Sequence, residues 1–124
     1  MGKKIKMHII DRDVTAVLNS SETAASFYDL LPLKISMQRW GDEYYGDCGL
    51  KVNIEEGART EMEVGEIAIW PSGSALCIFF GPTPVSSSGK PMAISPVNPV
   101  GKIEGSVEWL KKLGGSIDIT MEKV

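Results

Sequence analysis

From Ile5 to Ile10 the apolar residues Ile5, Met7 and Ile9 alternate with Lys6 and His8, the period of two that marks a half-buried strand. Asp11-Arg12-Asp13 then predicts a tight turn, and the β-branched run Val14–Leu18 predicts a strand returning antiparallel to the first. The period changes after Asn19. Ala24, Phe27, Tyr28 and Leu31 fall at helical spacing behind the capping oxygens of Asn19, Ser20 and Ser21, Glu22 suits the positive end of a helix dipole, and Pro32 stops the run. Alternation resumes from Leu33 to Trp40, with Leu33, Ile35 and Met37 on one face. Arg39 continues that apolar face, so it is expected at the edge or mouth of the core, whereas Trp40 points the opposite way.

Gly41 to Gly49 mixes glycines, acids and two tyrosines, which suits an ordered loop or bent hairpin better than a regular element. Leu50, Val52 and Ile54 predict a weak strand, and 55–63 is polar and expected at the surface. Ile67–Trp70 reads as a strand stopped by Pro71, and Ala75–Phe80, apolar on both faces, as a central buried one. The prolines and serines from Gly81 to Pro99 predict a long exposed loop, functional or mobile. Val100–Glu104 makes another strand, Ser106 is expected to cap a helix carrying Val107, Leu110 and Leu113 with Gly114 behind it, and Ile117, Ile119 and Met121 alternate in a closing strand. The fold class that follows is mainly β: a closed antiparallel barrel of about eight strands with two short α-helices, the last strand pairing with the first, in a single domain over 1–124.

Composition narrows the function more than it defines it. The chain has 124 residues, 43% of them hydrophobic, enough to bury a core without disulfides or metal. Its net charge of −3, without a lysine or arginine block beyond the first few positions, removes the footprint of a nucleic-acid or anionic-membrane partner. The longest apolar run, Ala75–Phe80, is far short of the ~20 residues that span a bilayer. The basic start is followed by no apolar signal region, so a cytoplasmic location is expected, with Cys48 and Cys77 as free thiols. His8 is the only histidine and neither cysteine has a Cys-x-x-Cys neighbour, so neither a metal site nor a cofactor is expected, and a cupin-like metalloenzyme is set aside.

The order of signals resembles a known fold. Ser21-Glu22-Thr23-Ala24-Ala25-Ser26-Phe27 after a hairpin is similar to the segment that opens the first cyclophilin helix, and Cys77-Ile78-Phe79-Phe80 to the core strand lining the cyclophilin pocket. Val97 to Glu104, followed by the Val107–Leu113 segment, resembles the cyclophilin stretch before its terminal helix. More closely, Met37-Gln38-Arg39-Trp40-Gly41-Asp42-Glu43-Tyr44-Tyr45-Gly46, together with Ile78-Phe79-Phe80-Gly81-Pro82-Thr83-Pro84 and Ser95-Pro96-Val97-Asn98, looks like the short prokaryotic cyclophilin-like family. That resemblance implies an eight-stranded barrel but no established molecular function.

A prolyl isomerase must lower a rotation barrier of about 18–20 kcal/mol with an apolar slot and one donor to the prolyl nitrogen. By resemblance Arg39 is the candidate catalytic donor and Phe80 matches the pocket phenylalanine, with Phe79 the alternative if the register is offset by one. The cyclophilin pocket histidine falls at Val97, and no tryptophan lies between Gly81 and Gly101. The sequence therefore favours a binder of a short peptide or small molecule in a groove near Arg39, lined by Glu43, Tyr44, Tyr45, Phe79 or Phe80, and Met92. A divergent peptidyl-prolyl isomerase and a non-catalytic scaffold or oligomerisation module are the alternatives. Arg39 with Asp42 and Glu43 also reads as a surface ion network, the tyrosines as loop packing, and Trp40, Trp70 and Trp109 as packing anchors.

Overall fold

The computed structural model describes residues 2–124. Its strands are β1 (Lys4–Ile9), β2 (Arg12–Leu18), β3 (Leu33–Arg39), β4 (Glu43–Asp47), β5 (Arg59–Glu61), β6 (Glu66–Trp70), β7 (Ala75–Phe79), β8 (Met92–Ile103) and β9 (Ser116–Lys123), with one α-helix, α1 (Glu22–Asp29). Eight of them pair in the order β2-β1-β9-β3-β4-β7-β6-β8, and Ala16–Leu18 of β2 meets Ile103, Lys102 and Gly101 of β8, so the order runs round in a ring. All the pairings are antiparallel, and β1 lies beside β9, the neighbour relation that the amphipathic first and last strands imply. The fifth strand stands outside the ring, paired only with β8.

The ring encloses the main core. Ile5, Met7 and Ile9 of β1, Ile35 and Met37 of β3, Tyr44 of β4, Ile67 and Ile69 of β6, Leu76 and Ile78 of β7 and Ile117, Ile119 and Met121 of β9 all point into it, every second residue along each strand. The α1 helix adds Ala24 and Phe27 to this core. It starts at Ser21, whose hydroxyl accepts the Ala24 N–H at 3.1 Å, one of the three caps the sequence offers. On the outer face of β6 and β7 a second, smaller core gathers Ala68, Cys77 and Phe79 with Met62 and with Ala93 and Val97 of β8. The fully buried β7 is thus a wall between two apolar compartments, which is why it lacks a polar face.

Five segments depart from the expected pattern. Of the ordered loop or bent hairpin expected from Gly41 to Gly49, the structure has the hairpin, with a regular strand β4 as its second arm; Gly41 at φ +60° makes the first position of a two-residue turn, and Trp40 and Glu43 exchange backbone hydrogen bonds across it. The alternation was masked because the outward position that a core would fill with an apolar residue holds Glu43. Residues 50–54 form no strand: the buried Asn98 side chain accepts the Glu55 N–H at 3.0 Å and donates to the Asn53 carbonyl at 2.9 Å, so a side chain takes the place of a ladder. The loop expected up to Pro99 gives way at Met92 to β8, which absorbs Pro99 beside a register shift in its pairing with β6 and Pro96 within one in its pairing with β5, where a missing N–H is tolerated. The expected second α-helix is a 3₁₀ turn, Glu108–Lys112; confined between Gly105 at φ +82° and Gly114, the segment closes Val107–Leu110 and Leu110–Leu113 bonds and is too short to propagate an α-helix. The first hairpin turn is also displaced, to Ile10-Asp11, with Ile10 at φ +58°.

Candidate functional site

Arg39, the last residue of β3, stays on the inward face and closes one end of the ring. Its guanidinium lies 5.1 Å from the Phe80 ring centroid and 5.9 Å from that of Tyr44, and those two rings stack at 5.4 Å. Its Nε–H donates to the Gly41 carbonyl at 2.8 Å, Nη1 to the carbonyls of Lys111 and Leu113 at 3.0 and 2.8 Å, and Nη2 to Asp42 Oδ1 at 2.8 Å. Four of the five N–H bonds of a guanidinium are thereby engaged. Asp42 is held in turn: its N–H donates to the Pro82 carbonyl and its own carbonyl accepts the Phe80 N–H, both at 2.9 Å, while a Cβ on Gly81 would collide with the Asp42 carboxyl. The Tyr44 hydroxyl donates to the Gly114 carbonyl. Two of the motif blocks, Met37–Gly46 and Ile78–Pro84, therefore meet in a clasp that ties the β3–β4 turn to the segment after β7 and to the 3₁₀ turn.

The opposite face of the same strands carries the cavity. Trp40 and Tyr45 on one side and Trp70 on another, with Ala93, Ile94 and Val97 of β8, surround about 330 Å³. Glu43 and Cys77, only 5% and 2% exposed, form the floor, and the half-exposed Tyr45 and Ile94 form the rim. Strand pairing dictates this grouping: Tyr45 lies opposite Cys77 across β4 and β7, and Cys77 opposite Ala68 across β7 and β6, so one outward row runs beneath the cavity. Trp70 is fixed in place, its indole N–H donating to Ser95 Oγ at 2.6 Å and its ring lying against Gly73. The walls are preformed and almost wholly apolar, the character of a ligand pocket at the small end of the usual 300–1,000 Å³ range.

Glu43 is the chemical anomaly of this pocket. Its Oε1 is buried and has no hydrogen-bond partner. Burial pushes its carboxyl up to about 7, opposed by a hydrogen bond with the Cys77 thiol. The thiol itself is raised well above its ordinary range, first by burial and then by the carboxyl beside it, so it is a poor nucleophile. Neither Lys, Arg nor His lines the cavity. Among the described residues no three His, Cys, Asp or Glu side chains lie together as a metal site would need.

The residues expected to form one site are split between the two faces. Arg39, Tyr44 and Phe80 meet in the clasp, and Glu43 and Tyr45 line the cavity. Phe79 packs in the small outer core without lining the cavity, and half-buried Met92 contributes its carbonyl as acceptor for the Thr83 hydroxyl at 2.5 Å. The Arg39 guanidinium is thus held by the protein's own carbonyls, and the cavity is lined by the next residue along, Trp40. Trp40, Trp70, Cys77, Ala93, Ile94 and Val97 were missed as lining residues. Two signals pointed there: the strand parity that turns Trp40 away from Arg39, and the alignment that sets Val97 where cyclophilins carry the pocket histidine.

The antiparallel ring, the α1 helix and a pocket on the ring's outer face define a cyclophilin-like domain. The Cyclophilin-like family model matches residues 3–122, and the chain belongs to that family. A solution structure of a hypothetical protein from Archaeoglobus fulgidus is similar to it, with 32% identity and a TM-score of 0.82 over 99% of this chain and 95% of that one. No curated protein matches the chain.

Proposed function

We propose that this protein binds a small, largely apolar ligand, or a single side chain of a short peptide, in the cavity above Glu43, without itself catalysing a reaction. The observation that carries this reading is a preformed pocket of about 330 Å³ with apolar walls and one buried, unpartnered carboxyl oxygen at its floor. The alternative of prolyl isomerisation is disfavoured because four of the five Arg39 N–H bonds are already engaged within the clasp, which leaves a single one for a prolyl nitrogen. The β2–β8 pairing supports taking the ring as a closed barrel, and the two free thiols support a reducing, cytoplasmic setting.

The test is NMR titration of the protein with a set of small apolar fragments and X-Pro peptides. Binding moves the indole N–H signals of Trp40 and Trp70 and leaves that of Trp109, outside the pocket, in place. Trp40→Ala weakens that binding. Shifts confined to residues away from the cavity, or catalysed exchange of the X-Pro bond that vanishes in Arg39→Ala, overturn the proposal.

A further inference from the structure

Resting on that reading of the pocket, we infer that its ligand is a protonated primary or secondary amine carried on an apolar body. Three observations converge on this chemistry. The floor holds a carboxyl group at 5% exposure whose Oε1 accepts no hydrogen bond, so the site lacks a donor that an ammonium N–H supplies. Among the described residues no cation neutralises it: seven ion pairs engage other acidic residues, and none includes Glu43. The cavity is lined by the aromatic side chains of Trp40, Tyr45 and Trp70, whose ring faces attract cations and whose area accepts the apolar body.

The competing ligand chemistries fit less well. An anion would meet the Glu43 carboxylate with no counter-charge, and a neutral apolar molecule would leave the carboxyl buried and still unpartnered. A neutral alcohol can pair with the protonated acid, but it gains nothing from the rings as cation hosts. The elements around the carboxyl offer few other titrating groups: β4 contributes Tyr45 and β7 contributes Cys77, while Trp70 of β6 and Ala93, Ile94 and Val97 of β8 carry none. An amine therefore sets the ionisation of Glu43 as it binds, drawing its proton off to solvent.

The experiment compares 2-phenylethylammonium chloride with 2-phenylethanol by calorimetric titration, on wild type and Glu43→Gln, at several pH values. Expected is tighter binding of the amine, by about 30-fold, and loss of that preference in Glu43→Gln. The wild-type amine affinity falls about tenfold per pH unit below the Glu43 midpoint near 7, while the alcohol shows no such fall. Equal affinities with no pH dependence overturn the amine assignment but leave the pocket a binding site. Failure of both probes and of every apolar fragment overturns the binding reading itself. The pH dependence is measured on wild type, so the inference stays open to refutation even if the variant folds poorly.

Discussion

Removing the charge from Glu43 exposes what the pocket costs the fold. The carboxyl titrates at about 7 in the folded chain against an ordinary value of 4.5, because ionising it there means ionising it out of water. Below 4.5 the acid is protonated in both states and has no effect on the equilibrium. As pH rises the unfolded chain releases the proton first, so folded stability falls, and the loss is complete once pH passes the folded value. At 1.36 kcal/mol for each pH unit of difference the loss reaches about 3 kcal/mol, a large part of the margin of an ordinary domain. Glu43→Gln keeps the shape and has no such titration, so the stability of the variant minus that of wild type should climb by about 3 kcal/mol between roughly pH 4 and pH 8. Urea unfolding followed by tryptophan fluorescence at fixed ionic strength measures the difference at each pH. His8, raised by Glu122 and Asp13, also makes wild type less stable as pH rises, but it is present in both proteins and cancels. A buried amide with unmet hydrogen bonds displaces the whole difference curve without tilting it. Parallel profiles, within about 0.5 kcal/mol across the range, would refute the account of Glu43 as a desolvated acid.

Arg39→Ala should destabilise by about 3 kcal/mol in the same unfolding assay, since it orphans the carbonyls of Gly41, Lys111 and Leu113 and the Asp42 carboxyl at once, and Arg39→Lys should recover only part of that because an ammonium cannot reproduce the fork. A loss below about 0.5 kcal/mol in the alanine variant would reduce the clasp to a surface ion pair. Ile10 is a β-branched residue in the left-handed region, 62% exposed at the tip of the first hairpin, and Ile10→Gly should stabilise by about 1 kcal/mol; a destabilised variant would show that the turn holds no strain. Burial raises both thiols, and buried Cys77 should react with a disulfide reagent at neutral pH far more slowly than the partly exposed Cys48; labelling of native Cys77 as fast as Cys48 would contradict a buried thiol at the pocket floor.

Much of the architecture was written in side-chain alternation, because each ring strand has one face in the core. Strands β1, β3 and β9 could be read this way, β2 from its β-branched run and β7 from an apolar run with no polar face, and the pairing of β1 with β9 followed from their matching amphipathicity. Alternation failed where a polar residue sits in an apolar role: Glu43 disguised β4, and Pro96 and Pro99 disguised β8. The site was half legible. Strand parity correctly separated Arg39 from Trp40, but the sequence offers no view of hydrogen bonds, and only the geometry reveals that both Nη1 donors of the arginine are taken by carbonyls more than seventy residues away. Likewise Val97 carries no chemical signal of its own; what makes it part of a pocket is its place beside Ala68 and Cys77 in the small outer core.

The neighbour relation of β1 and β9 sets how this chain must fold. Met7 faces Met121, and His8 reaches Glu122 across a separation of 114 residues, so the first hairpin waits with one unsatisfied backbone edge until the closing strand arrives. Closing so long a loop precedes any reward from the contacts it brings, which places the protein among slow, high-contact-order folders, on the scale of milliseconds to seconds rather than microseconds. Until that strand docks, the β1 edge is a template for another copy's β9, and exchange of that strand between chains is the failure to expect at high concentration during refolding.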